Sequence, residues 1–252
     1  MIFLVPVALS AKAEPGKIKK ISAPEVKEML ESGQAVLVNV LSGTEYEMQH
    51  IPDSINIPII HIKTTTALPR DKTTPLIFYC MGKRLPYSVR AARIAAEKGY
   101  TNVYVFAGGI PEWRKFNYPM VINPTWQKIK VKKIPPKDLA KLINSENFFI
   151  LDVRPLNFKK NTSFIKGSVL CPLVCLADRY HEIPKGQSII ITDWAMKQSP
   201  VAAKFLITKG YTVAGILKGG IERWESDKLP VEARKPMAKL MPLSSRNNDP
   251  VH

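Results

Sequence analysis

The chain carries the same pattern of apolar and polar positions twice. The segment IKKISAPEVKEML surrounds Ile21, and VKKIPPKDLAKLI surrounds Ile134, at an offset of 134 − 21 = 113 residues. In the first segment, apolar side chains recur at helical spacing at Val26, Met29 and Leu30, and the second segment keeps that spacing. This periodicity predicts that each copy begins with one amphipathic helix.

Short, strongly apolar segments follow each of these helices. AVLVNV ends at Val40 and FFILDV at Val153, while PLIFYC ends at Cys80 and SIIITD at Asp193. Apolar strands separated by helical segments are typical of parallel strands that are buried on both faces. The sequence therefore predicts an α/β protein with two domains, each a mostly parallel sheet with helices on both faces.

The second helix of each copy follows the strand that ends in Cys80 or Asp193. SVRAARIAAEKGY begins at Ser88 and SPVAAKFLITKGY at Ser199, an offset of 199 − 88 = 111 residues, so the first copy has a loop two residues longer. Both helices end at a glycine, Gly99 and Gly210, which suits a left-handed helix terminus. A final strand then leads into GGIPEW in one copy and GGIERW in the other.

These patterns divide the chain into five parts. INPTWQK, between the copies, contains a proline and has no clear periodicity, which indicates a linker. The end of the chain is largely basic and polar, which is typical of a flexible tail. The predicted parts are a leader at 1–16, a first domain at 17–121, a linker at 122–129, a second domain at 130–231 and a tail at 232–252.

The charge of the chain predicts an anion-attracting surface. Lys and Arg number 37 against 21 Asp and Glu, which gives a formal net charge of +16 in 252 residues. Nucleic acid, acidic lipid and small oxyanions all fit such a surface. The sequence has no zinc-finger spacing, no stretch of alternating basic and aromatic residues and no arginine-rich helix, so we do not expect a nucleic-acid partner. No apolar run approaches the roughly 20 residues that a membrane span needs.

Two further features concern the cysteines and the N-terminus. The three cysteines do not form a disulfide framework, and the four histidines add no zinc-ligand pattern. Cys171 and Cys175 are interpreted as small, buried apolar residues. The segment MIFLVPVALSAKA resembles a signal peptide with a cleavage site before Glu14, although no basic residue precedes its apolar run. We therefore expect export, to the periplasm in a bacterium.

Cys80 has the surroundings of a reactive thiol. It ends a predicted parallel strand, and ligands bind beyond the carboxyl ends of such strands. The loop MGKRLPY then leads into a helix, whose N-terminus and backbone N–H groups, with Lys83 and Arg84, favour the thiolate over the thiol. The alternative interpretation is a buried apolar cysteine, which is common at strand ends.

Five motifs occur in order along the two copies. They are HIPDSINIP at 50–58, YCMGKRLPYSVRAA around Cys80, GGIPEW at 108–113, DVR at 152–154 and GGIERW at 219–224. These motifs resemble those of the rhodanese family of sulfurtransferases. The resemblance covers nearly the whole chain after the leader, and the order and spacing of the motifs make it specific. The resemblance implies that both domains are rhodanese-like.

The resemblance also implies a reaction. Cys80 takes the outer sulfur of thiosulfate or a similar small anionic donor, and the resulting persulfide passes it to cyanide or to a thiol, including a protein thiol. Neither a metal nor an organic cofactor is implied. The residues implied to bind the substrate are Met81, Gly82, Lys83, Arg84 and Ser88.

The sequence departs from the family pattern at three places. Asn39 stands where the first copy should have the aspartate of Asp-Val-Arg, so its polar contacts should differ. The loop after Cys80 is about two residues longer than the usual sulfurtransferase loop, which suggests a bulkier donor. Asp193 occupies the position of the cysteine in the second copy. We interpret it as a surface carboxylate without a catalytic role, and the second copy as structural.

Two alternative functions stay open on the sequence. Related folds use a cysteine loop for phosphatase or arsenate reductase chemistry, which needs an arginine about six positions after the cysteine to hold the oxyanion. Pro86 stands at that position and Arg84 comes too early. The other alternative is a non-catalytic sulfur carrier or docking module, which fits the degenerate second copy and the altered Asn39.

Overall fold

The computed structural model describes residues 18–82, 86–143, 148–156 and 163–233. The predicted signal peptide, nearly all of the predicted tail, and Lys83 and Arg84 lie outside the described residues. The first repeat contains β1 (Lys19–Lys20), α1 (Ala23–Glu31), β2 (Val36–Asn39), α2 (Gly43–Met48), β3 (Gln49–His50), β4 (Ile55–Asn56), β5 (Leu76–Tyr79), α3 (Tyr87–Glu97), β6 (Val103–Phe106) and α4 (Gly109–Lys115).

The remaining described elements belong to the second repeat and to the segment before it. They are β7 (Val121–Ile122), α5 (Pro124–Lys128), β8 (Lys133–Ile134), α6 (Pro136–Leu142), β9 (Phe148–Asp152), β10 (Ser163–Phe164), β11 (Val169–Leu170), α7 (Leu173–Arg179), a 3-10 turn (Tyr180–Glu182), β12 (Ser188–Thr192), α8 (Ser199–Thr208), β13 (Val213–Leu217), α9 (Gly220–Ser226) and β14 (Glu232–Ala233).

Each repeat builds a five-stranded sheet with the same strand order. The first sheet runs β1-β6-β5-β2-β4, and the second runs β8-β13-β12-β9-β11. The pairs β1–β6, β5–β6 and β2–β5 are parallel in the first sheet, and all four pairs are parallel in the second. This confirms the predicted α/β class with two mostly parallel sheets. The strand that ends before Cys80 or Asp193 lies in the middle of its sheet.

Helices cover both faces of the second sheet. Successive strand residues point to opposite faces, so neighbouring residues of one strand pack against different helices. Ile189 and Ile191 of β12 join one core cluster, which also contains Leu176 of α7 and Phe205 of α8. Ile190 joins a second cluster with residues of α6 and α9. Side chains that are buried on both faces explain why the strand reads as a continuous apolar run.

The helices begin and end where their capping residues stand. Ser22 and Glu25 form a capping box at the start of α1, in which the Ser22 N–H donates to the Glu25 carboxylate. The predicted glycine termini are confirmed, because Gly99 and Gly210 have φ values of +92° and +81° after α3 and α8. Only a residue without a Cβ adopts this conformation at little cost.

The compact units of the fold do not follow the repeats. One unit comprises the described parts of 1–40 with 53–55 and 61–117, and the other comprises 41–52, 56–60 and the described parts of 118–252. Thus α2, which belongs to the first repeat by sequence, packs against α7 and α8 in the second unit. The predicted linker contains α5, whose Trp126 is buried in that unit. The predicted domain boundaries stay predictions.

Two findings concern the predicted tail and the membrane. β14 lies at the start of the predicted tail and pairs antiparallel with β10, so that Glu232 lies opposite Phe164. In the part of the chain that the structure describes, no helix has the length and the apolar character needed to cross a bilayer.

Candidate active site

Cys80 lies at the carboxyl end of β5, between the neighbouring strands β2 and β6. It is fully buried. Its sulfur lies 3.6 Å from the hydroxyl oxygen of Ser88, in the first turn of α3, and 3.7 Å from the carbonyl oxygen of Gly82. The strand-loop-helix connection thus brings the thiol and the predicted substrate residue Ser88 within hydrogen-bond distance.

The loop after Cys80 contains the other predicted binding residues. Met81 is half-buried and Gly82 is buried, with φ at +122°. A Cβ on Gly82 would lie 3.2 Å from the carbonyl oxygen of Gly108, so both its conformation and its surroundings favour glycine. The structure therefore brings Cys80, Met81, Gly82 and Ser88 together, whereas the predicted donor-steering residues lie outside the described residues.

Gly109, at the start of α4, packs against the backbone of this loop at Cys80. Its φ is +55°, and a Cβ there would lie 2.1 Å from the carbonyl oxygen of Cys80. The next residue, Ile110, donates its N–H to that same oxygen at 3.3 Å. Sequence reasoning identified the GGI motif as part of the repeat but missed its contact with the cysteine. Its recurrence at the start of the last helix of both copies was the available signal.

The second repeat reproduces this arrangement around Asp193. Gly220 has φ at +65°, and a Cβ there would lie 2.6 Å from the Asp193 carbonyl oxygen and 2.4 Å from that of Trp194. The N–H of Ile221 donates to the Asp193 carbonyl oxygen at 2.8 Å. The backbone of the second loop is therefore held in the same way as that of the first, although Asp193 carries a carboxylate where Cys80 carries a thiol.

Asp193 is not the surface carboxylate that the sequence suggested. Only 1% of its surface is exposed. Its oxygens accept hydrogen bonds from the N–H groups of Met196 (2.6 Å), Gln198 and Ser199 (3.1 Å), and from the Ser199 hydroxyl (3.3 Å). The sequence-based interpretation was wrong because it did not foresee that the loop's own donors compensate for burial of the charge.

The two repeats also differ in the polar contacts behind the loop. In the second, Asp152 and Arg154 are both fully buried and form a bidentate ion pair, in which Nη2 donates to Oδ2 at 2.7 Å and Nε donates to Oδ1 at 3.1 Å. Burial raises the pKa of Asp152, and the hydrogen bonds from Arg154 oppose that shift. In the first, the same two positions hold Asn39 and Leu41, which are also buried. The first repeat therefore lacks this charge pair, as predicted.

A second contact that the sequence did not reveal lies behind Cys80. The hydroxyl groups of Ser54 and Tyr79 are both buried and share a hydrogen bond at 2.8 Å. Ser54 belongs to the HIPDSINIP motif, and Tyr79 is the residue before Cys80. This bond ties the motif to the strand that carries the cysteine.

The other two cysteines lie in the second unit, Cys171 directly after β11 and Cys175 in α7. Cys171 is buried and Cys175 half-buried, and both contact the core cluster that covers one face of the second sheet. Burial raises the pKa of the Cys171 thiol to about 12, so this thiol is protonated at neutral pH. Across the described ranges, no three His, Cys, Asp or Glu side chains gather as a set of metal ligands.

Comparison with known proteins decides the family. A family model described as a rhodanese-like domain matches residues 22–116 and again residues 135–227. This chain belongs to the rhodanese family. It is a tandem rhodanese, and its second copy carries aspartate at the cysteine position.

This tandem rhodanese is similar to known sulfurtransferases. It is 31% identical over 107 residues to the thiosulfate:glutathione sulfurtransferase of Homo sapiens, and the alignment covers 37% of this chain and 90% of that protein. It is 33% identical over 91 residues to the thiosulfate:glutathione sulfurtransferase of Saccharomyces cerevisiae, covering 31% of this chain and 63% of that protein. A crystal structure of a thiosulfate sulfurtransferase from Pseudomonas aeruginosa aligns with a TM-score of 0.41 and 17% identity, over 85% of this chain and 43% of that one.

Proposed function

We propose that this rhodanese is a sulfurtransferase that carries sulfane sulfur as a persulfide on Cys80. The observation that supports this most is the position of Cys80 at the carboxyl end of the central strand β5, with the Ser88 hydroxyl 3.6 Å from its sulfur. Relatives of the same family that are sulfurtransferases support the general reaction.

The reaction proceeds in two displacements. The Cys80 thiolate attacks the outer sulfur of thiosulfate or a similar donor. The donor's S–S bond breaks, and sulfite leaves with the electron pair. An acceptor thiolate or cyanide then attacks the terminal sulfur of the Cys80 persulfide. The persulfide's S–S bond breaks, which releases the acceptor persulfide or thiocyanate and restores the Cys80 thiolate. No external oxidant or reductant is consumed.

The site stabilises negative charge on sulfur in both states of Cys80. Helix α3 begins at Tyr87 and directs its N-terminus toward the loop, and the partial positive charge of a helix N-terminus favours a thiolate. The Cys80 thiol donates to the Ser88 hydroxyl oxygen at 3.6 Å, and in the proposal that hydroxyl donates instead to the sulfur once it is a thiolate. In the proposal, backbone N–H groups from Met81 onward hold the persulfide, and Lys83 and Arg84 attract the anionic donor.

The test is thiocyanate release from thiosulfate and cyanide by the wild type, Cys80→Ser and Cys171→Ser. We expect activity in the wild type and in Cys171→Ser, and none in Cys80→Ser. Mass spectrometry after incubation with thiosulfate alone should find one added sulfur atom in the wild type and in Cys171→Ser, and none in Cys80→Ser. Equal activity in wild type and Cys80→Ser would refute the assignment of Cys80.

We also propose a class of natural donor and of natural acceptor. The loop after Cys80 is longer than is usual in sulfurtransferases, which favours a donor bulkier than thiosulfate. Because two similar proteins are named for glutathione as well as thiosulfate, glutathione is the first acceptor to compare with cyanide. A kcat/KM that is higher with glutathione than with cyanide would support a thiol acceptor.

A non-catalytic sulfur carrier is the second candidate. It is favoured by Asn39 and Leu41, which remove the buried ion pair that the second repeat retains. A carrier would form a stable Cys80 persulfide yet show negligible turnover with small acceptors. A phosphatase or arsenate reductase is disfavoured because Pro86 stands where the oxyanion-binding arginine is needed. Hydrolysis of phosphate esters would revive that alternative.

We further propose that the protein is exported and cleaved before Glu14. The segment concerned lies outside the described residues, and its support is the short apolar run followed by Ala11 and Ala13. N-terminal sequencing of the protein isolated from its native cell should start at Glu14. An intact Met1 would refute the proposal.

A further inference from the structure

The second repeat contains a loop that surrounds a buried negative charge. The carboxylate of Asp193 accepts bonds from three backbone N–H groups, those of Met196, Gln198 and Ser199, and from the Ser199 hydroxyl. All four of these donors are electrically neutral, and the carboxylate is 1% exposed. Their convergence on one carboxylate is the arrangement that proteins use to bind small anions.

The same place in the first repeat holds the proposed reacting sulfur. Asp193 and Cys80 both follow the central strand of their sheets, at an offset of 193 − 80 = 113 residues. The Asp193 Oδ1 atom lies 3.3 Å from the Ser199 hydroxyl, as the Cys80 sulfur lies 3.6 Å from the Ser88 hydroxyl. In both repeats a glycine of the GGI motif with a positive φ lies against this residue's carbonyl oxygen, Gly109 against that of Cys80 and Gly220 against that of Asp193. The carboxylate therefore occupies the place that the sulfur has in the other copy.

We propose that the loop from Asp193 to Ser199 is an anion-binding site whose ligand is the carboxylate of Asp193 itself. The second domain thus retains the anion-binding loop of a rhodanese, but the site is permanently filled from within and is closed to anionic donors. The internal charge also excludes a second anion by repulsion. This inference does not depend on sulfur transfer by Cys80.

The proposal predicts that removal of the carboxylate leaves an empty site for a small anion. In Asp193→Ala, three backbone N–H groups and one hydroxyl lose their acceptor in a buried position, which destabilises the fold. Formate has the size and charge of the missing group and should restore the bonds. Binding to the folded state alone raises the melting temperature as the ligand concentration rises.

The experiment measures the melting temperature of the full chain in sodium formate, with sodium chloride at equal ionic strength and formamide as references. We expect Asp193→Ala to melt about 5 °C or more below the wild type. Formate should then raise its melting temperature saturably, and sodium chloride and formamide should not. The wild type should show no formate effect beyond that of chloride.

Asp71→Ala provides the matched control. The Asp71 carboxylate also accepts bonds from a backbone N–H and a hydroxyl, both of Thr73 at 2.8 Å, but it is exposed. Because water replaces that carboxylate, formate should not stabilise Asp71→Ala. Saturation-transfer NMR of the formate proton should detect bound formate with Asp193→Ala and not with Asp71→Ala or the wild type.

Two results would overturn the proposal. One is an Asp193→Ala protein that formate stabilises no more than chloride or formamide does. The other is a formate effect of equal size in the wild type or in Asp71→Ala. If Asp193→Ala does not fold without an anion, its refolding yield in formate against formamide distinguishes the same two outcomes. The readouts are binding and stability, so a loss of sulfur transfer would leave them unaffected.

Discussion

An alanine at position 109 would place a Cβ 2.1 Å from the carbonyl oxygen of Cys80. Ordinary contact between these atoms needs more than 3 Å, so one of the two segments has to move by about 1 Å. Gly109 also has φ at +55°, a backbone conformation that costs a residue with a Cβ about 1–2 kcal/mol of conformational free energy. Gly109→Ala therefore acts on the backbone that positions Cys80 without changing any reacting group.

The expected magnitude follows from these two effects. Backbone strain of about 1–2 kcal/mol and overpacking of about 1–3 kcal/mol together lower the free energy of unfolding by about 2–5 kcal/mol. A displacement of the reacting group by about 1 Å lowers kcat/KM by about 100-fold. We expect both effects in Gly109→Ala.

Two other glycines separate the effect on stability from the effect on the site. Gly220→Ala introduces the same clash, at 2.4–2.6 Å from two carbonyl oxygens, in the repeat that lacks the cysteine. Gly99→Ala adds a Cβ at φ +92° with no atom within 4 Å, and so introduces strain without a clash. Both variants should lose stability and keep the activity of the folded protein.

The assay is thiocyanate release, corrected for the folded fraction that urea denaturation gives at the assay temperature. The reasoning would be refuted by a Gly109→Ala protein with wild-type stability and activity. It would also be refuted if Gly220→Ala lost as much activity as Gly109→Ala, because the clash would then act through the general fold rather than through the cysteine.

Three further predictions concern single side chains. Ser88→Ala removes the hydroxyl that lies 3.6 Å from the Cys80 sulfur, so kcat/KM for thiocyanate release should fall by about 10-fold or more. Asp152→Asn leaves the buried Arg154 without its counter-charge, and urea denaturation should show a loss of about 3–5 kcal/mol. The pKa of Cys171 is raised to about 12 in the folded protein, so the free energy of unfolding should fall from pH 9 to pH 12. In urea denaturation at pH 10, Cys171→Ala should have lost about 1 kcal/mol less of this free energy than the wild type.

Each of these three has its own control or contradicting outcome. Ser199→Ala changes the equivalent serine of the second copy and should leave kcat/KM of the folded protein for thiocyanate release unchanged. Glu31→Gln breaks the exposed pair with Lys27 and should change stability by less than about 1 kcal/mol, in contrast to Asp152→Asn. Parallel pH profiles of the wild type and Cys171→Ala would contradict the inferred burial of the Cys171 thiol.

The sequence by itself determined the repeat, the class of fold and the place of the candidate nucleophile. Apolar residues at helical spacing around Val26, and unbroken apolar runs such as PLIFYC, predicted helices and buried parallel strands, and both are confirmed. These features are local, because the period of the side chains follows from the geometry of each element. Because a predicted parallel strand ends in Cys80, the sequence placed this residue at the carboxyl ends of the strands, where ligands bind.

Only the tertiary structure decided how the loops are held and what fills the second one. Gly109 and Cys80 are 29 positions apart, since 109 − 80 = 29, yet their backbones lie so close that a Cβ on Gly109 would be 2.1 Å from the Cys80 carbonyl oxygen. From the sequence we interpreted Asp193 as a surface carboxylate, whereas folding buries it and brings four donors from its own loop around it. The sequence pattern did not predict that α2 packs with the second repeat. Such contacts depend on distances of a few ångströms between segments, which residue types and spacing along the chain do not specify.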